Sequence, residues 1–116
     1  PTSMAAALDN LATVQAPLKD AMLGDMRELG TESVAEHFAV LKKLASMNLD
    51  LVCLVGEEFR KALEEVTEPV EETSNAKWFP TSDDLVAWLK ENPVSDHTIL
   101  IKGSRGIRME KILPEL

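Results

Sequence analysis

Leu51-Val52-Cys53-Leu54-Val55-Gly56-Glu57-Glu58 is a run of five apolar residues closed by a glycine and two acids. A strand with one wet face alternates apolar and polar residues. A strand with no polar interruption is covered on both faces, as in a parallel sheet. A helix over about 57–66 is expected to follow it. Seven glutamates lie between Glu57 and Glu72 against only Arg60 and Lys61, which reads as a solvated helix face and an acidic loop.

The same alternation of strand and helix continues on both sides. Upstream, Ser33 and Glu36 have capping-box spacing and open a helix over about 34–47. Its apolar stripe is Val34, Phe38, Leu41 and Ala45, joined by Leu44. Before it, Ala21-Met22-Leu23 reads as a short buried strand ending at Gly24-Asp25, with a loop through Gly30. Gln15-Ala16-Pro17 separates that strand from a first helix over 2–14, capped by Thr2 or Ser3, with Met4, Leu8, Leu11 and Ala12 facing inward. Downstream, Pro69 to Asn75 is a polar connection. Lys77-Trp78-Phe79 is a short edge strand stopped by Pro80. Thr81 or Ser82 caps a helix over 83–91 that turns Leu85, Trp88 and Leu89 inward. Thr98–Ile101 is the last strand, and 105–112 a short final helix or turn.

The order α-β-α-β-α-β-α-β-α predicts an α/β fold: a three-layer, mostly parallel, doubly wound (Rossmann-like) sheet. Residues 1–116 form one domain. A first helix with no strand before it is half of a βαβ unit, so a strand just upstream of Pro1 is expected. The chain then reads as a fragment of something longer.

Twelve basic against twenty acidic residues give a formal charge of -8. That balance argues against nucleic acid or an anionic membrane as partner. No apolar run approaches the roughly 20 residues of a membrane-spanning helix, and no signal-peptide pattern opens the chain. The single cysteine, Cys53, lies in the apolar run, and a buried, reduced thiol fits a cytoplasmic location.

Ligands of open α/β sheets bind beyond the carboxyl ends of the strands. Three turns lie there: Gly24 to Gly30, Gly56-Glu57-Glu58, and Lys102-Gly103-Ser104-Arg105. Asp25 could hold a ribose hydroxyl, a metal-bound water or an amine, or cap a turn. Lys102 could meet a phosphate or pair with Asp25 across the strand ends. Ser104 could be a plain helix cap, but Arg105 beside it makes a pair able to grip a carboxylate. Lys102, Arg105, Arg108 and Lys111 cluster with only Glu110 opposing them, at a strand-to-helix turn that suits an anion. His37 falls on the margin of its helix's stripe and reads as an edge-of-core histidine. His97 has no partner visible in sequence and is expected to be exposed. There is no GxxxxGK[ST] or GxGxxG pattern, no Cys/His spacing for zinc and no Ser/His/Asp order. No catalytic residue and no metal site are therefore assigned to this chain.

Three stretches together carry a resemblance: Pro1-Thr2-Ser3-Met4 with its helix, Leu23-Gly24-Asp25-Met26-Arg27-Glu28-Leu29-Gly30, and Ile101-Lys102-Gly103-Ser104-Arg105-Gly106-Ile107-Arg108-Met109-Glu110. They resemble the C-terminal domain of the Mur ligases over nearly the whole chain. The LGDMxELG and KGSRxxxME patterns resemble those of the member that adds D-alanyl-D-alanine to UDP-N-acetylmuramoyl-tripeptide.

The resemblance implies a three-domain, ATP-dependent, cytoplasmic ligase of peptidoglycan synthesis. ATP and Mg2+ would be held mainly by the N-terminal and central domains, and the isolated fragment would be inactive. This domain would close over the nucleotide and position the incoming amine. Ser104 and Arg105 would lie near the dipeptide, with Lys102 shaping the loop. Asp25, Arg27 and Glu28 would face the nucleotide and the interdomain cleft. His37 falls where the family often has a histidine. The family's nucleotide-contacting Asn-Ala-Asn segment would lie upstream of Pro1. Asp20 stands where the family usually has an apolar strand residue, which leaves the start of that strand open.

The rival reading is a receiver-like signalling module, also doubly wound with an aspartate and a lysine at strand ends. A receiver needs an acidic pair after its first strand and an acceptor aspartate after its third. This chain has Gly56-Glu57-Glu58 and no matching aspartate. A pure interaction domain is the third option.

Overall fold

The computed structural model describes residues 2–27, 30–65 and 76–116. Helices α1 (Thr2–Thr13), α2 (Ser33–Ala45), α3 (Glu57–Glu64) and α4 (Ser82–Glu91) alternate with strands β1 (Lys19–Gly24), β2 (Leu51–Val55), β3 (Ala76–Phe79) and β4 (Thr98–Lys102). Short 3-10 turns cover Gly30–Glu32, Arg105–Ile107 and Met109–Glu115. The strands form one sheet in the order β3-β2-β1-β4, with every neighbouring pair parallel. Among the described residues no helix is long and apolar enough to cross a membrane.

The expected three layers are present. Side chains alternate across the sheet, so β1 and β2 feed two cores. Ala21, Leu23, Val52 and Leu54 pack with Met4, Leu8 and Leu11 of α1, Val40, Leu41 and Leu44 of α2, and Phe59 and Ala62 of α3. Met22, Cys53 and Val55 face the other way, onto Leu85 and Leu89 of α4 and onto Met109 and Ile112. Cys53 is fully buried, and burial pushes its thiol up to about 12, so it stays protonated and unreactive. The edge position of Ala76–Phe79 matches its short, mixed sequence.

Several local expectations are corrected. Ser33 and Glu36 form no capping box: the N-cap of α2 is Glu32, with no side-chain cap bond. The Ser33 hydroxyl instead donates to Glu58 Oε1 at 2.7 Å. α2 is rotated accordingly. It buries Ser33, His37, Val40, Leu41 and Leu44, while Val34, Phe38 and Ala45 are only half-buried. The polar pair Ser33 and His37 can enter the core because both find partners on neighbouring elements. Ala12 is exposed, not part of the α1 stripe. Of the two caps offered for α4, Thr81 is the one used, exchanging bonds with Asp84.

Asp20 lies inside β1, fully buried between Leu51 and Ile99. His97 is not free: its Nδ1 donates to Asp20 Oδ2 at 2.6 Å, and its side chain is 20 % exposed. The expected connection over 69–75 lies outside the described residues.

Candidate ligand site at the strand ends

The carboxyl ends of β1, β2 and β4 meet in one place, built around Asp25. Its side chain reaches across to α3. Oδ2 accepts Glu58 N–H and Oδ1 accepts Phe59 N–H, each at 3.0 Å. Those amides have no partner within the helix, so Asp25 caps α3 from 33 residues away. Burial raises the Asp25 pKa, while the two amides and His37 oppose that rise. The backbone makes room for this contact. A Cβ on Gly56 would sit 2.2 Å from Asp25 Oδ2, and Gly56 has φ 115, so glycine is required there.

The Asp25–Lys102 bridge considered from sequence does not form, because α3 already satisfies the carboxylate. The same commitment removes Asp25 as a free acceptor for a phosphoryl group, against the receiver reading. Lys102 instead lines a cavity of about 250 Å3 with Ser3, Met4, Met26, Arg27, Gly103 and Ser104.

Ser104 ties the β4 loop to the β1 loop. Its N–H donates to Asp25 O at 2.9 Å, and its Oγ accepts Arg27 N–H at 2.6 Å. It is not a side-chain cap of the turn that follows. Because Oγ accepts from Arg27, the hydroxyl proton is left to donate elsewhere. The two loops run so close that a Cβ on Gly103 would stand 2.9 Å from Gly24 Cα.

Arg27 has basic groups on one side and the acids Asp25, Glu57 and Glu58 on the other. It lines the Lys102 cavity, a second of about 370 Å3 with Ser104, Arg105 and Gly106, and a third of about 400 Å3 with Asp25, Met26, Gly30, Ser33, Glu57 and Glu58. Arg105 shares that second cavity with Arg27 and Ser104. Lys111 is turned away, to Asp83 on α4 at 3.2 Å. Glu28 lies outside the described residues.

His37 is fully buried rather than marginal. It bonds the backbone of Met26 and of Ser33. No periodicity signals this, since the partner sits on a loop before the helix. Ser3 and Met4 also join the site without being singled out chemically by sequence. Among the described residues no three His, Cys, Asp or Glu side chains converge to hold a metal ion. Glu58, whose pKa is lowered by the Ser33 hydroxyl and by Lys61, is already tied to both.

The family model described as Mur ligase, glutamate ligase domain, matches residues 1–105. The chain belongs to the Mur ligase family. This Mur ligase domain is 30 % identical over 113 residues to the UDP-N-acetylmuramoyl-tripeptide–D-alanyl-D-alanine ligase of Rickettsia prowazekii, covering 97 % of the domain and 24 % of that protein. It is 32 % identical over 120 residues to the ligase of the same name from Haemophilus influenzae, covering 98 % and 24 %. In structure it matches a crystal form of MurF from Acinetobacter baumannii with a TM-score of 0.77 and 31 % identity, covering 100 % of the domain and 25 % of that chain. The Mur ligase domain thus spans about a quarter of the length of these relatives.

Proposed function

We propose that this domain belongs to an ATP-dependent amide ligase and positions D-alanyl-D-alanine for joining to UDP-N-acetylmuramoyl-tripeptide. The observation that carries the reading is the convergence of Arg27, Lys102, Arg105 and the Ser104 hydroxyl at the strand ends of an acidic chain. The similarity to ligases of that name supplies the substrate class. The reaction is expected in the cytoplasm.

ATP supplies the phosphoryl group that activates the terminal carboxylate of the tripeptide. The dipeptide amine attacks the resulting acyl phosphate; the C–N bond forms, the C–O bond to phosphate breaks, and the amine gives up a proton. The residues of this domain fit anions. Arg105 and the Ser104 hydroxyl suit the dipeptide carboxylate, while Arg27 and Lys102 suit the nucleotide side of the cleft. Nothing among the described residues fits Mg2+, since Asp25 and Glu58 already have partners. The metal and most of the nucleotide belong to the other domains of the ligase. Closure of this rim over them would keep water from the acyl phosphate.

Arg105→Ala in the full-length ligase tests the assignment. Loss of a guanidinium paired with a buried carboxylate costs about 2–4 kcal/mol, or roughly 30- to 1,000-fold in use of the dipeptide. The KM for ATP is expected to stay within about twofold. An equal loss for both substrates, or no loss, contradicts it.

A further inference from the structure

We infer that His37 is a positioning residue, a neutral imidazole that holds the Met26–Arg27 backbone so that Arg27 stands against Ser104 at the anion rim. Its two contacts leave only one protonation state. Nδ1 lies 2.7 Å from the Ser33 carbonyl oxygen, which can only accept, so Nδ1 carries a proton. Nε2 lies 2.9 Å from Met26 N, whose N–H can only donate, so Nε2 is bare. A second proton on Nε2 would face the Met26 N–H and end that bond.

The next residue shows why the hold matters. Arg27 N–H donates to Ser104 Oγ at 2.6 Å, one peptide unit beyond the bond from Met26 to His37. The imidazole thus sets the backbone from which Arg27 enters all three cavities of the rim. The ring is itself fixed. It meets Phe59 edge-on at 4.7 Å and 86°, and Asp25 holds the Phe59 amide. Two acids face the ring from other elements: Asp25, whose Oδ1 is 4.0 Å from Nε2, and Glu58 on α3, which reaches Nδ1 only through Ser33. Asp25 is the acceptor that a protonated Nε2 would turn to in place of Met26. Packing alone does not require a histidine here, since a phenylalanine would also fill the space beside Phe59. The polar ends of the ring are what the loop uses.

The 116-residue chain serves for the test. A long-range nitrogen–proton correlation spectrum at neutral pH is expected to show His37 protonated at Nδ1 and bare at Nε2. His37→Phe keeps the aromatic packing and removes both bonds. It is expected to speed hydrogen exchange at Met26 and Arg27 by about tenfold or more, with Cys53 and Leu54 in β2 changed far less. His37→Gln offers an amide oxygen to the loop and is expected to restore part of the protection. The functional consequence rests on the dipeptide reading above. D-Alanyl-D-alanine, followed at the Arg27 and Ser104 amides, is expected to bind His37→Phe about fivefold more weakly. If the wild-type chain gives no response to the dipeptide, that reading loses its support, while tautomer and exchange still decide the role of His37. A proton on Nε2 at neutral pH, or unchanged exchange at Met26 and Arg27 in His37→Phe, overturns the inference.

Discussion

Asp25 and Asp20 are both buried carboxylates on or beside β1; burial raises the pKa of each, but their hydrogen-bond partners differ. Asp25 has an amide on each oxygen. Asp25→Ala would leave Glu58 N–H and Phe59 N–H without an acceptor, at a cost of about 1–3 kcal/mol in a urea melt. A loss no larger than that of an exposed substitution such as Glu64→Ala would contradict the capping role. Asp20 has His97 on Oδ2, with the Leu51 amide a minor pull on the carboxyl, and Oδ1 has no hydrogen-bond partner among the described residues. Burial raises its pKa above the ordinary 3.8, against the pull of His97. A carboxyl that holds its proton more tightly folded than unfolded stabilises the fold below the ordinary value. That contribution is lost as pH rises from 3.8 through the folded-state value. The stability of Asp20→Leu relative to wild type is therefore expected to be higher at neutral pH than in acid. Stability curves that run parallel from acid to neutral pH would show that Asp20 carries no such burden. Sequence marks Asp20 only as an odd residue at a strand start. It does not reveal the partner 77 residues away.

At the scale of elements, strands were more legible than caps. Leu51–Val55 has no polar interruption, and the structure buries it on both faces. Thr98–Lys102 and Ala76–Phe79 also lie where apolar content and proline placed them. Caps depend on competition that spacing does not show. Ser33 and Glu36 have the right separation, yet Ser33 bonds Glu58 on another helix and the box is lost. α3 has no cap of its own in sequence because Asp25 provides it from another loop. Gly56 at the β2–α3 junction and Gly30 before α2 both have positive φ and allow a direct comparison. Gly56→Ala must overcome both its φ of 115 and the carboxylate 2.2 Å from the new methyl. It is expected to cost about 2–4 kcal/mol. Gly30→Ala, at φ 59 with nothing within 4 Å, is expected to cost about 1 kcal/mol. Thermal melts of the two variants check this, and equal losses would mean that the Asp25 contact adds nothing to the backbone term.

At the scale of the whole molecule, net charge and local charge point different ways. The chain is acidic, while the β1 and β4 loops bring Arg27, Lys102 and Arg105 to one rim. The basic composition of the KGSR stretch suggests an anion as its ligand. Its tie to the Gly24–Gly30 loop was legible only through the family patterns, because the contact joins residues about 80 apart. The domain spans about a quarter of the length of its relatives. The central claim is that this rim receives D-alanyl-D-alanine as the incoming amine. The most direct measurement is ATP-dependent phosphate release by the full-length ligase carrying this domain, with UDP-N-acetylmuramoyl-tripeptide and a choice of amines. Release that depends on D-alanyl-D-alanine, and is near background with D-glutamate, is the predicted result. Release driven by D-glutamate, or no dependence on any amine, would contradict it.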